Sequence, residues 1–174
     1  ARIVNWKGQH LLLEAFVKYS KDNPKSILLL VGEPMFNSDN YFKFIVQKIK
    51  SENLEKRVIL TGYRNDIGDL LSIIDLFVYP STEKDTSPLA LISAMLSGCK
   101  IAVSDIKSLR DTYLGCSEIE VFRNGNVDDI YRILKNYELI NNSTSIENSI
   151  KDWAYNNYNI DMHSKKMINS IEKI

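Results

Sequence analysis

Arg2 and Lys7 place a guanidinium and an ammonium close together near the start of the chain, and Gly8 beside Lys7 lets a ligand approach the main chain. That pair suits phosphate, which a guanidinium grips with two parallel hydrogen bonds and an ammonium meets as a point charge. No G-x-G-x-x-G follows the first strand and no G-x-x-x-x-G-K-S/T occurs, so neither a dinucleotide fingerprint nor a P-loop is present. Phosphate bound here takes much of its counter-charge from side chains. The second candidate is the loop Ser81 to Pro88, small, hydroxylated and acidic, whose composition leaves N–H groups available at the start of a helix.

Each of these residues also has a plainer role. Arg2 and Lys7 alone read as a solvated strand end, since most charges lie at the surface. Glu83 and Asp85 alone read as loop solubility and as negative charge at a helix N-terminus. Ser93 suits helix packing as well as a hydroxyl contact, and Tyr63 suits a cover over the core. His10 and His163 each stand alone on a helix, where surface or packing roles are expected. Trp153, Tyr155 and Tyr158 read as a packing stripe.

These residues need elements to hold them. Asp75 to Tyr79 is apolar without helical spacing, which predicts a buried parallel strand, and Leu89 to Leu96 predicts a helix packed on it. Upstream, Gln9 to Tyr19 carries Leu12, Leu13, Phe16 and Val17 at helical spacing until Asp22-Asn23-Pro24. Ser26 to Val31 is an aliphatic strand closed by Gly32-Glu33-Pro34, and Asn40 to Ser51 is an amphipathic helix. Arg57 to Thr61 is a strand stopped by Gly62, and Ile67 to Ile74 a short helix. Lys100 to Ser104 adds a strand and Glu118 to Phe122 an edge strand, while Val127 to Ile140 and Ile146 to Ile174 are helical. The alternation predicts an α/β, Rossmann-like parallel sheet with helices on both faces. Ligands of such a sheet bind beyond the carboxyl ends of its strands, which confines the candidates to Asn5 to Gly8, Gly32 to Pro34, Gly62 to Asn65, Ser81 to Pro88 and Ser104-Asp105.

The 174 residues, 44% apolar and 25% charged, make one globular domain or one lobe of something larger. Lys plus Arg and Asp plus Glu both number 22 with no run of either sign, so no nucleic-acid partner is indicated. No stretch nears the ~18 consecutive apolar residues of a membrane helix. Cys99 and Cys116 lack metal-ligand spacing and are too few for a disulfide framework, so they read as free thiols of a reducing cytosol. Asn142-Ser143-Thr144 is formally a glycosylation acceptor and carries little weight without a secretory signal. The opening Ala1-Arg2-Ile3-Val4, with no Met, reads as a chain cut in or just after a strand, an excised domain.

Five segments in order and spacing resemble the C-terminal domain of GT-B glycosyltransferases of family 4. They are Arg2, Lys7 and Gly8 with the helix that follows; Leu29-Leu30-Val31-Gly32; Val58-Ile59-Leu60-Thr61-Gly62; Asp75-Leu76-Phe77-Val78-Tyr79-Pro80-Ser81; and Ala94-Met95-Leu96-Ser97-Gly98. The resemblance spans nearly the whole chain. It implies a donor-binding lobe over residues 1–174, with 146–174 a carboxyl-terminal helical segment and an acceptor-binding N-terminal lobe upstream. In family members that last helix crosses back towards the other lobe, which would give Trp153, Tyr155 and Tyr158 an interlobe surface.

The resemblance further implies roles. Arg2 and Lys7 would hold the diphosphate of a nucleotide sugar and stabilise the leaving nucleotide beside Gly8 and Gly32, with no metal and no other cofactor. Tyr63 and Arg64 match the nucleobase pocket, with UDP expected ahead of GDP. Thr86, Ser87, Pro88 and Leu89 match the sugar-contacting loop and would offer N–H groups, except at Pro88. The family carries two glutamates eight residues apart, and here Asp85 stands at the first position and Ser93 at the second. Asp85 is therefore the expected catalytic carboxylate, ahead of Glu83, because a helix opening near Pro88 fixes Asp85 just before its unsatisfied N–H groups. The expected function is retaining transfer of a hexosyl or N-acetylhexosaminyl group to a glycan or lipid-linked acceptor in bacterial surface polysaccharide synthesis, O-antigen or capsule. The expected place is the cytoplasm, peripheral at the inner membrane face through the other lobe, and the lobe alone is expected to be inactive. The alternatives are a GT-B-shaped nucleotide-sugar epimerase and a degenerate, non-catalytic binding subunit.

Overall fold

The computed structural model of the chain describes residues 1–159 except Lys84, Thr86, Ser87 and 141–143. The expectations for His163 and for a helix beyond Asn159 lie outside the described residues. A 3-10 turn over Asn5–Lys7 leads into α1 (Gln9–Asp22), β1 (Leu28–Val31), α2 (Asp39–Ser51), β2 (Val58–Gly62), α3 (Ile67–Ile73) and β3 (Leu76–Tyr79). Then follow α4 (Leu89–Leu96), β4 (Lys100–Ser104), α5 (Lys107–Tyr113), β5 (Glu120–Phe122), α6 (Val127–Ile140) and α7 (Thr144–Tyr158). The turn before α1 and α5 are the additions to the sequence reading. α5 buries only Leu109 and Thr112, too few positions to set a helical period.

Among the described residues the strand ladders are all parallel, and β4 shows why helices cover both faces. Its Ala102 joins a core with Leu13, Phe16, Leu28, Leu30 and Ile130, whereas Ile101 and Val103 join a second core with Leu91, Met95, Leu109 and Ile150. β3 divides in the same way, Leu76 and Val78 towards the first core, Phe77 and Tyr79 towards the second. Residues two apart share a face, so an uninterrupted apolar run buries both sides of a strand. Where α1 ends, the Arg57 guanidinium donates to the carbonyl oxygens of Ser20 at 2.8 Å, of Ser26 at 3.0 Å and of Asn23, satisfying acceptors that the helix leaves over.

The expected single sheet is divided into two ladders. β1 pairs with β2, and β3 with β4 and β5, while β1 and β3 share no ladder. The first residues of the chain pass between their carboxyl ends. Ala1 donates to the Val31 carbonyl of β1, and the Trp6 carbonyl accepts the N–H of Thr82 after β3. Among the described residues no helix is long and apolar enough to cross a membrane. Cys99 and Cys116 are buried thiols outside any disulfide, and the Cys99 thiol donates to the Leu71 carbonyl at 3.3 Å.

Candidate functional site

Two close approaches build the first edge of the site. Gly8 sits at φ 69°, where a Cβ would lie 1.9 Å from the Pro80 carbonyl oxygen. Gly32 sits at φ 135°, where a Cβ would lie 1.9 Å from the Ala1 carbonyl oxygen. Both positions require glycine, on backbone angle and on space. With the Thr82 N–H donating to the Trp6 carbonyl at 2.8 Å, these contacts bring together the opening turn, the end of β1 and the loop after β3. They meet at a cavity of about 1370 Å³.

Lys7 is buried there, 7% exposed. Its Nζ donates to Tyr79 Oη at 2.7 Å and to Asp85 Oδ2, and Tyr79 donates to the same carboxylate oxygen at 2.6 Å. Ser81 Oγ donates to it from 3.3 Å. Burial alone pushes the Asp85 carboxyl up, but the Lys7 ammonium and the Tyr79 and Ser81 hydroxyls outweigh it and hold the group below the usual carboxylate range. Burial raises the Tyr79 phenol, and its bond to the Asp85 carboxylate raises it further, so it stays protonated and keeps donating. The Asp85 N–H donates to Ser108 Oγ on α5 at 3.0 Å. Lys7, Tyr79 and Ser81 line the cavity; Asp85 stands behind them.

The other expected residues are spread around the same cleft. Arg2 is exposed, its Cζ 4.8 Å from the centre of the Phe36 ring, and Phe36 stacks on Trp6 at 6.1 Å. Glu33 accepts the Tyr63 N–H at 3.3 Å, tying the edge after β1 to the edge after β2. Tyr63 is 73% exposed and stands at the cleft's rim. Arg64 lines the cleft as well, but its Nε donates to Asp66 at 2.7 Å, which folds the guanidinium over its own loop. Exposed Leu89 and half-buried Ser93 complete the lining from α4. Pro88 precedes the helix rather than opening its first turn, and its carbonyl accepts the Ile92 N–H at 3.1 Å. Thr86 and Ser87 lie outside the described residues. Glu83 is exposed.

Some candidates stand elsewhere. Asp105 pairs with Arg110 at 2.7 Å, and Ser104 lies 3.4 Å from Asn124, so that strand end does not line the cleft. His10 Nδ1 lies 3.0 Å from Tyr41 Oη in an edge-to-face contact, the packing role expected of it. Trp153 and Tyr158 pack edge to face at 6.0 Å in the second core, while Tyr155 is exposed. Sequence reading places Ser81 in a candidate loop but does not single out Tyr79 or Ser108. Tyr79 had a signal, because a phenol in a buried strand needs a hydrogen-bond partner. Ser108 had none, since α5 itself is silent.

A buried ammonium and an exposed guanidinium at one rim, with an open aromatic ring at the next, suit a ligand that joins an anion to a flat ring. Comparison with known proteins follows the same line. The model of the family described as Glycosyl transferases group 1 matches residues 1–159. The Escherichia coli enzyme UDP-Gal:alpha-D-GlcNAc-diphosphoundecaprenol alpha-1,3-galactosyltransferase is 35% identical over 92 residues, 51% of this chain and 22% of that protein. The crystal structure of Anabaena HepE in complex with UDP matches with a TM-score of 0.90 at 22% identity, over 100% of this chain and 47% of that one. The C-terminal domain of a glycosyl transferase group 1 family protein from Francisella tularensis matches with a TM-score of 0.76 at 21% identity, over 91% of this chain and 83% of that one. The chain thus spans about half the length of HepE and a smaller share of the E. coli enzyme. At these identities the structural likenesses establish the fold.

Proposed function

Because this chain belongs to the glycosyl transferases group 1 family, we propose that it is the donor-binding lobe of a retaining glycosyltransferase of the GT-B, family 4 type. It takes a hexosyl or N-acetylhexosaminyl group from a nucleotide-diphospho-sugar, UDP ahead of GDP, to a glycan or lipid-linked acceptor. The acceptor sits on an N-terminal lobe, the whole enzyme works in the cytoplasm at the inner membrane face, and its product is a bacterial surface polysaccharide such as O-antigen or capsule. The E. coli relative, named for a UDP-linked donor and a diphosphoundecaprenol acceptor, supports that direction, as does the UDP bound to HepE.

The observation that carries the reading is buried Lys7 at the rim formed by Gly8, Gly32 and Pro80. As the glycosidic bond breaks, negative charge grows on the leaving diphosphate. A cation already fixed in a water-poor cleft opposes that charge more strongly in the transition state than in the ground state. Lys7 meets the diphosphate from the buried side and Arg2 from the open side, and together they do the work for which other enzymes use a metal. Tyr63 stacks on the nucleobase. Asp85 takes the position of the first family glutamate and acts on the donor sugar from behind Lys7, Tyr79 and Ser81. The lobe alone binds donor without transferring sugar, because transfer needs donor and acceptor held in line.

Calorimetric titration of the full-length protein with UDP, GDP and ADP tests this. Saturable binding led by UDP, lost in Lys7→Ala, is expected. No saturable binding by any of the three up to about 1 mM, a Kd bound of roughly −4.1 kcal/mol, overturns the donor-lobe assignment.

A further inference from the structure

The chain on either side of Lys7 is pinned to the chain just after Tyr79. A Cβ on Gly8 would lie 1.9 Å from the Pro80 carbonyl oxygen, and the Trp6 carbonyl accepts the Thr82 N–H at 2.8 Å. Tyr79 itself is the last residue of β3, in parallel register with Val103 of β4, and it is buried with Phe77 stacked on its ring at 6.1 Å. The phenol therefore comes from the sheet, whereas Lys7 comes from the opening turn and Asp85 from a loop tied to α5 by Ser108. Three hydrogen bonds close a ring between them. Lys7 Nζ donates to Tyr79 Oη at 2.7 Å and to Asp85 Oδ2, and Tyr79 Oη donates to the same Oδ2 at 2.6 Å.

A lysine ammonium has three N–H donors and turns about its Cε–Nζ bond. With one partner the other two donors swing; with two partners at fixed places the rotation is hindered and the direction of the third donor is set. Burial and the Asp85 carboxylate keep the phenol protonated, so its one proton goes to Asp85 and its oxygen is left to accept from Lys7. Two donors of Lys7 are thus taken, and Lys7 lines the cavity with the third. We propose that Tyr79 is a positioning residue: its hydroxyl locks the rotation of the Lys7 ammonium, so that the third N–H stands aimed at an anion in the cleft before the anion arrives. A donor oriented beforehand needs no reorganisation when charge reaches it or develops in front of it. The inference rests on the donor-lobe reading for the identity of that anion, a diphosphate, and not for the lock itself.

Nitrogen relaxation of the lysine side chains in the full-length protein reads the lock directly, with the Lys7 signal identified by its loss in Lys7→Arg. The Lys7 ammonium should rotate at least ~3-fold more slowly than that of exposed Lys107. Tyr79→Phe keeps the ring and removes only the hydroxyl, and should speed the rotation about 2- to 10-fold, the range of one neutral hydrogen bond. Calorimetric titration of the same two proteins with UDP and with inorganic pyrophosphate should show both ligands weakened by a similar factor. A Lys7 ammonium that turns as fast as that of Lys107 in the parent, or as slowly in Tyr79→Phe as in the parent, overturns the proposal. A fold merely loosened by the variant gives that second result, because it weakens the ligands without freeing the ammonium. Affinities for UDP and pyrophosphate that are unchanged in Tyr79→Phe overturn the proposal as well. Pyrophosphate bound by the parent and weakened in Tyr79→Phe, with UDP not bound at all, supports the lock and takes down the donor-lobe reading instead.

Discussion

Tyr79 donates to Asp85 Oδ2 at 2.6 Å, and the same oxygen receives the ammonium of Lys7. The lysine is therefore a neutralised cation at rest, since its charge faces a carboxylate in a site shut off from water. In the reading proposed above, Lys7 exchanges one strong partner for another when a diphosphate arrives, instead of waiting as a bare charge. The phenol donates to Asp85 while accepting from Lys7, so it would keep a hold on the carboxylate through such an exchange.

In the full-length enzyme, Lys7→Ala should lower kcat far more than Ser93→Ala. Removing a donor aimed at developing charge costs about 2.7–4 kcal/mol, whereas a single neutral hydrogen bond contributes about 0.5–1.5 kcal/mol. Lys7→Ala also strands Asp85 in a buried place, which costs about 3–5 kcal/mol of stability. The double variant Lys7→Ala, Asp85→Asn should regain much of that stability and none of the turnover. Equal kinetic losses at Lys7 and Ser93 would reject the ranking.

Asp85→Asn should abolish transfer while Glu83→Gln leaves it near the starting rate. Asp85 is buried against Lys7, Tyr79 and Ser81, and Glu83 is exposed one turn of loop away. Asp85→Glu keeps the charge on a longer stem and should retain part of the rate. Steady-state assays of the three variants check this; a dead Glu83→Gln beside a working Asp85→Asn means that the roles are reversed.

Acid should erase the contribution of the pair. The Asp85 carboxyl is more acidic folded than unfolded, so the folded chain binds fewer protons there. Its stabilisation is complete above the unfolded value near ~3.9 and disappears as pH falls through the folded value. Urea unfolding of the parent and Asp85→Asn at pH 7, 5 and 3 should give a stability gap that is constant at the first two and smaller at the third. A gap that widens on acidification contradicts the sign of the shift.

Local signals explain what could be read in advance. Lys100 to Ser104 is apolar on both faces and stops at a polar edge, so β4 was legible down to its ends. Lys7 and Asp85 were each legible as residues beyond a strand's carboxyl end. That they share an oxygen was not, because nothing local links positions so far apart in the chain. The Arg64–Asp66 pair competes with the cleft for the guanidinium through a carboxylate two residues away. Composition of the Gly62 loop alone does not say which partner wins. The division of the sheet is likewise a matter of nonlocal hydrogen bonds, which leave no period in β1 or β3.

The bond from the Asp85 N–H to Ser108 has a consequence of another kind. No residue of α5 lines the cleft, yet α5 sets where the loop carrying Asp85 hangs. In the reading proposed above, natural variation along α5 can retune the rate of the reaction while the nucleotide pocket is left untouched. Two descendants of such a chain would then share a donor and differ in tempo.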